Sequence, residues 1–167
     1  ILKRLKELEH QGYQFESADA SFELMVLETL KRFKPHFKLE MFRTSGEYPL
    51  HDDLMSASAM LKIKVDGKTE ITASLGNGPV NALDLALKKA LGVFYPQLSN
   101  VHLTDYKVRV LTPDDATGAK VRVLIESSDG ENTWTTVGVS TDIIQASWKA
   151  LVDSIEYILY LYEKKNN

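Results

Sequence analysis

The sequence predicts an α+β fold: two βββα repeats related by a pseudo-twofold, with antiparallel sheets carrying helices on one face, preceded by a helical linker. Three observations carry this. Short segments alternate apolar and charged residues with a period of two, as in Leu61-Lys62-Ile63-Lys64-Val65 and Tyr106-Lys107-Val108-Arg109-Val110. Asp66-Gly67 and Asp129-Gly130 signal hairpins. Turns led by Gly76 and Gly138 then give way to apolar residues at helical spacing, so one order of elements occurs twice.

Leu2, Leu5 and Leu8 place a narrow apolar stripe on a first helix over about 1–10, which Gly12 stops. A second helix is expected over about 18–33, with Ser17 or Asp19 as its N-cap and Pro35 as its terminator. These helices form a linker over 1–35, and the repeated part covers 36–167, divided near residue 98. Strands follow around 39–46, 61–65 and 69–75. Pro79 suits the first position of the next helix, because its missing N–H removes no bond there. Val80, Leu83, Leu87 and Leu91 form that helix's buried stripe, with Asp84 and Lys88 paired on the outside. The second repeat runs through strands at 106–110, 121–125 and Trp134–Val137 to a helix opened by Asp142, with Gln145 at capping-box spacing. Within the repeat Gly138 is matched to Gly76, and Ala146, Ala150 and Leu151 are matched to Ala82, Ala86 and Leu87 after a two-residue shift in the turn. The last helix is apolar on more than one side, so a second face needs a partner, most simply a second copy of the chain.

Composition narrows the function classes. The 167 residues are 44% hydrophobic and 26% charged, as in a soluble globular protein. The net charge of -3 gives no electrostatic reason to expect nucleic acid or an anionic membrane as partner. No apolar run approaches the roughly 20 residues that cross a bilayer. With no cysteine, disulfides, thiolate metal sites and cysteine nucleophiles are excluded, and a cytoplasmic location is expected. The chain opens inside a helical pattern, which suggests a piece of a longer protein.

Gly76-Asn77-Gly78-Pro79-Val80-Asn81-Ala82 resembles the glycine-rich turn and helix start in the C-terminal domain of the 2-isopropylmalate synthase/citramalate synthase family. The stretch from Gly138 to Ser147 resembles that domain's second turn and helix. Leu5 to Val26, with Gly12-Tyr13-Gln14-Phe15 and Ala20-Ser21-Phe22-Glu23, is similar to the preceding linker and is closer to the citramalate synthase branch. The resemblance implies a regulatory domain that dimerises and binds an end-product amino acid, isoleucine or leucine. It also implies a parent acyltransferase whose catalytic barrel uses acetyl-CoA and a divalent metal. No catalytic residue, metal ligand or cofactor is expected in this piece, where His10, His36, His51 and His102 lack the family's His-x-His spacing.

A zwitterionic amino acid needs donors for its carboxylate, an acceptor for its ammonium and an apolar slot. Two glycine-led helix starts offer free N–H groups, near Asn77-Gly78 and near Ser140-Thr141; taken by itself, each is better read as plain helix capping. The resemblance selects the first. Carried onto this sequence, it gives Asn77, Gly78, Pro79 and Val80, with Asp105, Tyr106 and Val110 on the strand opposite and Ile144 as core or contact. Tyr106 and Val110 share a strand face that suits an aliphatic side chain, while Asp105 is either an ammonium acceptor or a solvated strand-edge residue. His51-Asp52-Asp53 has the residue types of a metal or acid–base site, but it lies between strands with no further His nearby, and a solvated loop is the better reading. Three functions follow: amino-acid sensing, dimerisation without an effector, and a small enzyme built on His51-Asp52-Asp53.

Overall fold

A computed structural model describes residues 1–46, 56–111 and 119–167. The elements run α1 (Leu2–His10), α2 (Asp19–Thr29), β1 (Lys38–Gly46), β2 (Ala57–Val65), β3 (Lys68–Gly76), α3 (Pro79–Gly92), a 3-10 turn (Pro96–Asn100), β4 (His102–Val110), β5 (Val121–Ser128), β6 (Thr133–Ser140) and α4 (Ile143–Asn166). The strands form two three-stranded antiparallel sheets, β1-β2-β3 and β4-β5-β6. Each is followed by its helix, as two βββα units require. The chain divides into two compact units, Pro35–Asn100 and Ile1–Lys34 with Val101–Asn167.

In the first of these, Ala57, Ala59, Leu61, Ile63 and Val65 of β2 are buried, while Lys62 and Lys64 face outward. Ala82, Leu83, Ala86, Leu87, Ala90 and Leu91 of α3 are buried as well, small residues that let the helix lie close to the sheet. Asp66 and Gly67 both take positive φ, 48° and 81°, as a two-residue type I′ hairpin requires. The Asp84–Lys88 pair forms at 2.9 Å, but it is buried rather than on the outside as the spacing suggested. Asp84 sits on the flank of the buried stripe, where desolvation raises its pKa and Lys88 opposes the rise.

In the other unit, α4 covers one face of its sheet. Trp134 is buried and donates through Nε1 to Ser154, 3.0 Å from both its carbonyl and its hydroxyl oxygen. The second side of α4 is covered in part by the chain itself. Ser21 of α2 donates to Asp153 at 2.7 Å and accepts the β6 edge N–H of Val137 at 3.0 Å, and Tyr157 donates to Glu23 at 3.0 Å. The α2 helix ends earlier than Pro35 suggested. Leu30 is its C-cap, and Lys31 at φ 54° lets Arg32 N–H reach back to Leu27 O. Its N-cap is Ala18, with no side-chain bond, rather than Ser17 or Asp19.

The repeat is more regular than the sequence match indicated. Thr72 donates to Ala86 O at 2.8 Å, and Thr136 to Ala150 O at 2.7 Å. One constant shift carries Phe42, Leu61, Thr72 and Ala86 onto Tyr106, Ile125, Thr136 and Ala150, and Leu61 and Ile125 are the register partners of the two threonines. The bulge between Leu39 and Met41 likewise recurs between Leu103 and Asp105. The expected two-residue shift in the turn is therefore absent, and Gly138 answers Ser74, not Gly76. The hairpins differ instead: Asp129–Asn132 form a longer connection in which Asp129 accepts the N–H groups of Glu131 and Asn132.

Candidate functional site at the first turn of the third helix

Gly76 closes β3 directly against the start of α3. A Cβ there would collide with the Ala82 N–H group and lie 2.7 Å from Ala82 Cα. Only glycine permits this abrupt strand-to-helix turn. Asn77 N–H then donates to Asn81 Oδ1 at 3.0 Å. Gly78 is the N-cap, with φ 149° and nothing within 4 Å of a Cβ position, and Pro79 follows at the first helical position. No side chain caps this helix, so the N–H groups of its first turn and the positive dipole end are available to a carboxylate.

The corresponding end of α4 is different. The shift that pairs Thr72 with Thr136 pairs Gly78 with Asp142, whose Oδ1 accepts from Ile144 N–H at 2.7 Å and Gln145 N–H at 3.1 Å. One repeat thus supplies its own carboxylate at the helix start, and the other presents a glycine. The sequence placed Asp142 as a cap but did not use the contrast, because the glycine match set the two turns out of register.

Tyr106 and Val110 share one face of β4 with Val108 and are 38%, 54% and 41% exposed. Tyr106 Oη lies 2.7 Å from Ser147 Oγ, and Ser147 donates to Ile143 O at 2.7 Å, which leaves the tyrosine hydroxyl as donor. Ile144, in the same helical turn, is half-buried. Asp105 lies on the opposite face of the strand. Its Oδ1 accepts Tyr106 N–H at 3.0 Å, and its Oδ2 is 3.5 Å from Lys107 Nζ. It borders a small cavity of about 190 Å³ with Ser17, Lys107 and Glu126. The structure therefore separates Asp105 from the Tyr106–Val110 wall. Asn77, Gly78, Pro79 and Val80 belong to the Pro35–Asn100 unit, and the other four residues to the second unit.

His51, Asp52 and Asp53 lie outside the described residues. Among the described residues no three His, Cys, Asp or Glu side chains gather as a metal site, and no helix is long and apolar enough to cross a membrane.

A sequence model of the LeuA allosteric (dimerisation) domain matches residues 16–159. The chain belongs to this family. It is 51% identical to an (R)-citramalate synthase of Geobacter sulfurreducens, over 98% of this chain and 31% of that protein. In Aquifex aeolicus, the identity is 47% to an (R)-citramalate synthase, over 99% of this chain and 31% of that protein. The 2-isopropylmalate synthase of the same organism is 31% identical, over 98% of this chain and 30% of that protein. The chain thus spans about a third of the length of these relatives, and as a LeuA allosteric domain it stands nearer the citramalate branch within one organism.

Proposed function

We propose that this LeuA allosteric domain is the regulatory part of an (R)-citramalate synthase and binds isoleucine as a feedback inhibitor. The observation that carries the reading is the uncapped first turn of α3, set against the self-capped turn of α4. The effector's carboxylate would meet the N–H groups after Gly78, where a Cβ position is open space. The family resemblance adds Tyr106, Val110 and Ile144, residues of the other unit, as side chains whose loss should weaken binding. Asp105 faces away from Tyr106 and Val110 on β4, and the reading gives it no part. The parent's acyl transfer, with its acetyl-CoA and divalent metal, belongs to the barrel beyond this chain. The domain would act as a homodimer.

Isothermal calorimetry of isoleucine tests the site. Gly78→Val fills the approach to the helix end and should abolish binding, while sedimentation still shows a dimer. Tyr106→Ala should weaken binding by about 2 kcal/mol through lost apolar burial. Undiminished affinity in both folded variants would place the sensor elsewhere.

A further inference from the structure

We propose that the cleft between α1, the turn at 13–16 and the start of α2 is a second binding site, specific for a free α-amino acid with an aromatic side chain. The site is separate from the first turn of α3, and all its residues lie in one unit, Ile1–Lys34 with Val101–Asn167. The cleft is open on one side and holds about 520 Å³, a volume within the range of small-molecule sites.

Its lining supplies the three parts that a zwitterion needs. The first is a cation for the carboxylate. Arg122 Nε donates to Gly12 O at 2.9 Å and Nη1 donates to Gln14 Oε1 at 2.9 Å, so the guanidinium is held in place by bonds that do not use Nη2. Desolvation, then the charge of Arg109, lower its pKa, so an anion at Arg122 would relieve an electrostatic cost. The second part is an acceptor for the ammonium. Glu9, Glu16 and Asp19 border the cleft, and among the described residues none of them is in an ion pair with Lys or Arg. The third is an apolar wall. Phe15 stacks on Tyr13 at 5.8 Å between centroids and tilts against Phe22 at 5.9 Å. Phe22 remains 39% exposed, an aromatic surface that the fold leaves in water at the cleft.

The combination discriminates among ligands. A simple anion would satisfy Arg122 and meet three carboxylates, and a simple cation would meet the arginine. A zwitterion neutralises both signs at once, and aromatic faces add attraction for its ammonium. The rings of Tyr13, Phe15 and Phe22 favour a planar aromatic side chain, which can stack on them, over a branched aliphatic or polar one.

Calorimetry with L-phenylalanine as probe tests the site on the wild-type chain, Phe22→Ala and Arg122→Gln, with circular dichroism as the check on folding. Phenylalanine should bind the wild type saturably, and both variants should lose roughly tenfold or more in affinity. N-acetyl-phenylalanine, without the ammonium, and phenylalaninamide, without the carboxylate, should each bind the wild type roughly tenfold more weakly. Phe22 is exposed, so its truncation tests the wall even if Arg122→Gln loosens the turn that it holds. Isoleucine heat that vanishes in Gly78→Val reports the α3 turn, and phenylalanine heat that survives Gly78→Val reports this cleft. No saturable phenylalanine binding, equal binding in folded Phe22→Ala, or equal binding of the blocked analogues would overturn the proposal.

Discussion

Gly138→Val is expected to abolish the folded state of the unit that contains α4. A Cβ at this β6 position would overlap the carbonyl oxygen of Ala146 and lie 3.0 Å from both Ala146 C and Ala150 N. All three are backbone atoms, so no side chain can swing aside to admit it. Relief requires α4 to move away from the sheet, which would break the Thr136–Ala150 bond and expose the buried Val123, Ile125, Ala150 and Leu151. Even alanine should cost about 3 kcal/mol or more, and valine more still, against a typical total of about 5–15 kcal/mol. The urea midpoint, read by circular dichroism, measures this. Gly92→Ala is the control. It sits at the end of α3 with nothing within 4 Å of its Cβ position, so a change within about 0.5 kcal/mol is expected. A Gly138→Val chain as stable as wild type would mean that α4 does not lie this close to β6.

Asp153→Asn should stabilise the protein at alkaline pH. Part of Asp153 opens onto a cavity of about 140 Å³, yet protein surrounds the carboxylate on nearly every other side, and that enclosure governs its charge. Burial is the main force raising its pKa from 3.8 to about 7, the Ser21 hydroxyl opposes the rise, and the carboxylates of Glu28 on α2 and Glu156 on α4 add to it. Arg4 of α1 and the Tyr13 ring border the same cavity. A folded-state pKa above the unfolded value contributes stability that is complete below about pH 4 and lost as pH rises through about 7. Wild-type stability should therefore decline from pH 4 to pH 8 through this group, in the same direction as the burial-raised Glu28 and Asp84. Asparagine keeps an acceptor for Ser21 and carries no charge. The variant should be more stable at pH 8 by on the order of 2 kcal/mol, with a flatter pH profile. Chemical denaturation at both pH values decides it: no gain at pH 8 would show that the carboxylate is solvated.

Much of the fold is legible in the sequence because its signals are local. The alternation in Leu61–Val65 and the Asp66-Gly67 turn each depend on neighbouring residues, and both appear as the pattern requires. The repeat's register was not legible. Glycine was matched to glycine, but Gly76 gives way to the start of α3 at Ala82, whereas Gly138 gives way to the next turn of α4 at Ala146 and Ala150. The same residue type answers two different contacts one turn of helix apart. Burial of Asp84 with Lys88 was missed for a related reason: i,i+4 spacing shows that two charges meet, not whether protein covers them. At the candidate site the uncapped Gly78 turn follows from the absence of a capping side chain and was readable. That Asp105 lies on the face opposite Tyr106 and Val110 follows from simple alternation and is readable, whereas the bulge between Leu103 and Asp105 is announced by no residue pattern. The Arg122 cleft joins residues more than a hundred positions apart, 108 and 110 along the chain for its bonds to Gln14 and Gly12, and only the folded chain brings them together.

Side-by-side titration of isoleucine and leucine into the 167-residue chain tests the sensor assignment most directly. Saturable isoleucine binding, with leucine weaker by on the order of tenfold, is the result expected of a citramalate-branch regulatory domain. Leucine binding more tightly than isoleucine, or neither amino acid binding, would contradict it.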